Sequence, residues 1–120
     1  MSDALNELLA RLRADNNLEL AAVSSDGLLV ASDHTDELDA ETICATVGDG
    51  FLMTAALGSE LDRGEPTLLT IEYHGGTVVT GPLDHGAMLI LLASSPANLG
   101  RLRIATRRFQ EQYAGSLAAV

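Results

Sequence analysis

Along the chain, apolar residues recur at helical spacing in three stretches and run together in the short segments between them. In the first, Leu5, Leu8, Leu9 and Leu12 form one stripe, with Asn6, Glu7, Arg11 and Arg13 facing away. This predicts a helix that is capped by Ser2 or Asp3, runs to about Asp15 and is broken by Asn16-Asn17. LELAAVSS and LLVAS follow on either side of Asp26-Gly27, a pair suited to a type I′ turn, and so read as a β-hairpin. An acidic connector, Asp33–Leu38, leads into the longest periodic stretch, Asp39–Asp62. That stretch predicts a helix of about 36 Å. Asp39 is its N-cap, Leu38 and Ile43 its hydrophobic staple, Gly64 its left-handed C′ residue and Pro66 its stop.

Three strands follow the proline. Thr67–Tyr73 and Thr77–Thr80 flank the turn His74-Gly75-Gly76, and Gly81–Gly86 leads to Ala87–Ala93. A last helix is expected to begin at a Ser95 cap with Pro96 in its first turn, to bury Leu99, Leu102, Thr106, Phe109 and Tyr113, and to end at Gly115. Ala87–Ala93 is apolar at every position, as is much of Leu20–Val23 and Leu28–Ala31. Strands that do not alternate are buried on both faces, so the sheet needs helices on both sides. The fold class is α/β (α+β): a three-layer α-β-α sandwich around a five-stranded, largely antiparallel sheet, in one domain covering residues 1–120. Ala87–Ala93 belongs at its centre. Thr67–Tyr73, which follows a proline and carries Glu72, belongs at its edge.

The long helix carries more apolar surface than one sheet can use. Ile43, Val47, Gly50, Phe51, Thr54, Leu57, Gly58 and Leu61 would make its core face. A second stripe of Ala45, Gly48, Leu52, Ala55 and Ala56 lies beside the first. Thr42, Thr46, Asp49 and Glu60, with Met53 among them, leave only a narrow polar ridge. The partner expected for the spare stripe is a second copy of the same helix.

Charge and composition narrow the function. A formal net charge of −10 disfavours nucleic acid and anionic membranes as partners. No run approaches the roughly 20 apolar residues of a spanning helix, and the N-terminus lacks the order of a signal peptide. The lone Cys44 suits a reducing compartment, so a soluble cytoplasmic protein is expected. Cys44 is the one candidate soft nucleophile, yet it sits within the helix without a basic neighbour and reads as core. His34, His74 and His85 are scattered and form no zinc-type pair. The acidic run Asp33, Asp36, Glu37, Asp39, Glu41 has Leu38 where a calcium loop needs glycine. Gly75-Gly76 and Gly81 belong to no phosphate-loop motif, and the chain contains no lysine. Neither catalytic residues nor a metal nor a cofactor is expected. Arg101, Arg103, Arg107 and Arg108 cluster on the last helix, either as a solvated face or as a surface for an acidic partner or for the chain's own acidic half.

The element order, together with AAVSSDGLLVAS (21–32), TLLTIEYHGGTVVTGPLDHGAMLILLA (67–93) and Asn98-Leu99-Gly100, resembles the Roadblock family. That family includes dynein-associated light chains and bacterial MglB-type partners of Ras-like GTPases. The resemblance implies a non-enzymatic homodimer with its long helices side by side and its edge strands joined. Its dimer contacts would be Ala45, Gly48, Leu52, Ala55, Ala56, Leu68, Thr70, Ile71 and Glu72. A small Ras-like GTPase would be bound, and regulated or scaffolded, through Thr42, Asp49, Met53 and Glu60. The rival expectation is a small-molecule sensing module of the PAS or profilin-like kind, which would keep a pocket between helix and sheet.

Overall fold

A computed structural model of the chain describes the backbone of residues 2–118 and the side chains of residues 3–113. Its elements are α1 (Ser2–Asn16), β1 (Leu18–Ser25), β2 (Leu28–His34), α2 (Ala40–Glu60), β3 (Leu69–Tyr73), β4 (Gly76–Pro82), a 3-10 turn (Asp84–Gly86), β5 (Ala87–Ser94) and α3 (Leu99–Ala118). The five strands form one antiparallel sheet in the order β2-β1-β5-β4-β3. β5, the most apolar strand, is central and β3 is an edge, as the hydropathy pattern requires. Among the described residues, no helix is long and apolar enough to cross a membrane.

Two cores follow from the two faces of β5. On one side Leu89 and Leu91 pack with Ala21, Val23 and Val79 under Leu9 of α1 and Leu102 and Phe109 of α3. On the other, Ile90 packs with Leu20 and Ala22 under Ala40 and Cys44 of α2. The layers are therefore α1 and α3, sheet, α2.

The β1–β2 turn has the expected form, with positive φ at both Asp26 (52°) and Gly27 (81°). The Asp26 amide donates to the Gly86 carbonyl at 3.1 Å, which ties this turn to the approach to β5. Asp39 caps α2 as predicted, accepting from the Thr42 amide at 3.2 Å and from its hydroxyl at 2.7 Å. Those two bonds, the hydroxyl's first, hold the Asp39 carboxyl below the usual carboxylate range.

Several expectations give way to local chemistry. Asp62 (φ 56°), not Gly64, is the left-handed residue that closes α2. The Asp62 amide donates to the Ser59 carbonyl at 3.1 Å and the Arg63 amide to that of Gly58 at 2.9 Å, a Schellman pairing that Asp can satisfy. Asn98, not Ser95, caps α3, its side-chain oxygen accepting from the Arg101 amide at 3.1 Å, and the Ser95–Pro96 bond is cis. α3 passes through Gly115 to Ala118, and residues 119–120 lie outside the described part. Ser2 and Asp3, expected to cap α1, are themselves already helical and so do not form its N-cap. β3 starts at Leu69 rather than Thr67, and β4 extends to both sides of Thr77–Thr80. β2 is not buried on both faces. It forms the other edge of the sheet, and Leu28 is 74% exposed.

Leu89 is fully buried at the centre of the larger core. Leu89→Ala should cost about 2–5 kcal/mol in denaturant unfolding, with the fold retained. Asp39 has a lower pKa in the folded chain than in the unfolded one. Its stabilisation is complete above the unfolded value and is lost as the pH falls through the folded value. Asp39→Ala should therefore lower the melting temperature near neutral pH, with the gap to the parent closing in acid.

Candidate functional site

α2 packs chiefly along β1 and β2. Ala40 and Cys44 are buried, Ile43 and Val47 are partly buried, and by Gly48 the helix has reached the end of the hairpin. A Cβ at Gly48 would stand 3.3 Å from the Gly27 Cα, so glycine here allows helix and turn to touch. At about 1.5 Å per residue α2 spans about 31 Å, against about 26 Å for the eight residues of β1 at about 3.3 Å each. The second half of the helix has little sheet left to cover. Leu57 and Leu61, expected in the core, are exposed for this reason. Periodicity placed them on the core side of the helix; the helix length was the signal that the core would run out.

The outer side of α2 gathers most of the residues singled out from the sequence. Ala45, Leu52 (68% exposed) and Ala56 lie on it, and Thr42, Asp49, Met53 (76% exposed) and Glu60 continue the same surface. At about 100° per residue the two sets are neighbours rather than opposites. Gly48 and Ala55 are set apart, half-buried at the flank nearer the sheet.

Beside α2, the same face of the sheet is bare over β3 and β4. The register pairs Ile71 with Val78 and Tyr73 with Gly76, placing Ile71, Tyr73 and Val78 on the face that carries Ile90 and Leu92. Tyr73 is 61% exposed there. Thr70 and Glu72, also exposed, point to the opposite face. Leu68 precedes the strand and packs against the α1–α3 core, which takes it off the edge on which the sequence reading set it. The β3 edge is held in position from α3. The Gln110 Nε2 donates to the Thr67 carbonyl at 3.1 Å and to the Pro82 carbonyl at 2.9 Å, and Arg107 also reaches Thr67. Gly81 leaves room for this bridge, since a Cβ there would lie 2.7 Å from the Gln110 Nε2.

The groups with chemical potential do not converge. Cys44 is fully buried, and desolvation pushes its thiol pKa up, away from the nucleophilic thiolate. The His34 Nδ1 lies 3.1 Å from the Ser32 hydroxyl, while His74 and His85 are exposed in turns. Among the described residues, no three His, Cys, Asp or Glu side chains stand close enough to share a metal ion. A cavity of 370 Å³ lies where α2 meets the Asp26-Gly27 turn and the start of β5, lined by Phe51, Leu52, Leu83 and Met88 with the carboxylates of Asp49 and Glu65. The surface around this cavity is thus apolar and polar by turns.

Comparison with known proteins agrees with this geometry. The family model of the Roadblock/LC7 domain matches residues 4–93. A protein of Methanocaldococcus jannaschii, itself uncharacterised, is 32% identical over 93 residues, covering 75% of this chain and 78% of its own length. Myxococcus xanthus MglB superposes with a TM-score of 0.88 at 14% identity, over 98% of this chain and 97% of that one. A Roadblock/LC7 domain from Streptomyces avermitilis gives a TM-score of 0.85 at 18% identity, over 94% and 97% of the two chains. The match takes in α1 from its third residue, α2 and all five strands but for the last residue of β5, and the chain belongs to the Roadblock/LC7 family.

Proposed function

We propose that the protein is a non-enzymatic homodimer that binds a small Ras-like GTPase in the cytoplasm and regulates or scaffolds it. One observation carries the reading. The apolar surface left open on outer α2 adjoins the bare β3–β4 half of the same sheet face. A five-stranded sheet is about 19 Å wide at about 4.8 Å per strand, whereas one helix covers about 10 Å. A second α2, brought by a second copy, is the kind of element that would cover the rest.

In this reading Ala45, Leu52 and Ala56 meet the partner's helix, where small residues permit a close approach. Gly48 and Ala55 flank that contact. Thr70, Ile71 and Glu72 lie on the edge that joins the partner's β3. β3 suits this role better than β2. Its five residues pair with β4 without interruption, whereas β2 is offset by a register shift opposite Val23 and Ser24. A bulge of that kind discourages edge pairing. Thr42, Asp49, Met53 and Glu60 are left to dock the GTPase. The family's MglB-type members, with which this chain shares its fold, support that partner class. Regulation would require tighter binding to one nucleotide state than to the other.

The cavity of 370 Å³ favours a second reading, a small-molecule sensing module, because its size falls in the range of ligand pockets. Native mass spectrometry separates the two: a co-purifying ligand supports the sensor, and a bare dimer the proposal.

Leu52→Arg should convert the dimer to a monomer in sedimentation, since burying an unpaired charge costs about 3–5 kcal/mol. An unchanged dimer would remove Leu52 from the interface. With a purified Ras-like GTPase, Met53→Glu and Asp49→Arg should each weaken binding about tenfold or more while leaving the dimer intact. Absence of binding in both nucleotide states would end the regulatory reading.

A further inference from the structure

The opposite face of the molecule carries a second surface, unrelated to α2. α1 and α3 touch over a short stretch and then leave a groove of 480 Å³ between them. Leu8, Leu12, Ile104 and Phe109 supply its apolar lining, and Arg11 and Arg108 belong to it as well. Ile104 is 55% exposed, an unusual place for an isoleucine on a helix whose other apolar residues, among those with described side chains, turn inward. Along α3 the lining runs from Arg101 to Tyr113, about 18 Å at about 1.5 Å per residue, a little over three helical turns.

The charge here opposes that of the whole. The chain has 17 acidic residues against seven arginines. Five of the seven, Arg11, Arg101, Arg103, Arg107 and Arg108, nevertheless stand in or beside this groove. Two of them have internal duties. Arg101 donates to the Asn16 side chain and the Asp15 carbonyl, closing one end of the groove, and Arg107 reaches Thr67. Among the described residues, Arg11, Arg103 and Arg108 have neither a hydrogen-bond partner nor an ion pair; the sole ion pair joins Arg13 to Asp33 at 3.0 Å on another side. Asp15 is the one acid in the lining, and Glu111 stands beside it with Arg103 and Arg107. In so acidic a protein, two unpaired guanidinium groups, Arg11 and Arg108, in one lining with an exposed isoleucine amount to segregation of charge.

We propose that the groove between α1 and α3 docks an acidic amphipathic helix of a partner protein. A straight trough between two helices has no strand edge to offer an extended peptide, whereas a helix can lay apolar residues spaced i, i+4 and i+7 between Leu8, Leu12 and Ile104. Carboxylates flanking that stripe would meet Arg11 on one wall and Arg108 on the other. The remainder of the surface, strongly negative, repels a partner that is acidic throughout and admits one presenting its acids only along this contact.

The test uses the full chain and a labelled peptide of about 18 residues, with leucines on one helical face and glutamates beside them. In fluorescence anisotropy it should bind at least about tenfold more tightly than the same peptide with lysines for glutamates, and more weakly as salt is raised. Ile104→Asp and Arg108→Glu, both at exposed positions, should each reduce binding about tenfold or more with an unchanged circular dichroism spectrum. Leu52→Arg should bind as the parent does. Amide shifts on titration should fall on α1 and α3. Absence of binding, equal affinity for the lysine peptide, undiminished binding by Arg108→Glu, or shifts confined to α2 would each overturn the proposal. So would two other occupants: a self-association in light scattering that Arg108→Glu abolishes assigns the groove to a second copy, and Arg108-dependent binding to phosphatidylserine vesicles assigns it to a membrane.

Discussion

The burial of β5 on both faces is the constraint from which the rest descends. A strand with Leu89 and Leu91 on one side and Ile90 and Leu92 on the other cannot present either face to water, so the fold must cover both. It covers them unequally. α1 and α3 share one face, where their inner stripes meet Ala21, Val23 and Val79 in a large core. α2 alone serves the other, and it lies over β1 and β2. The half-clad face leaves apolar residues at the surface on outer α2 and on β3.

The two edges of the sheet show the same economy in different form. β2 is shielded by its offset from β1 and by α1, whose Arg13 holds the Leu18 carbonyl and Asp33 at 3.0 Å each. β3 has neither device, and its pairing with β4 is regular from Leu69 to Tyr73. Natural sheets do not leave a flat edge open without a use for it.

Much of this could be read from residue order because the decisive signals were local. Asp26-Gly27 specifies its own turn, Asp39 its own cap, and an uninterrupted apolar run its own central place. Signals that depend on where another element stops were not local. The wheel of α2 shows which residues share a side, but only the length of β1 shows that Leu57 and Leu61 have nothing to lie on. Ser95-Pro96 has the look of a helix start, yet Asn98, three residues on, takes the cap because its side chain reaches the Arg101 amide. The spare stripe on α2 was visible in outline, though Gly48 turned out to serve the hairpin turn. Of the groove between α1 and α3, only the arginine cluster on α3 could be read from residue order. Arg11 and Arg108 are brought together by tertiary packing across most of the chain.

The Gln110 bridge has a mechanical meaning. A single amide on α3 grips both the residue that leads into β3 and the last residue of β4, so the outermost hairpin hangs from that helix as a door hangs from its hinge. α3 is thus joined to the far border of the sheet by these two bonds as well as through the core that Leu102 and Phe109 share with Val79.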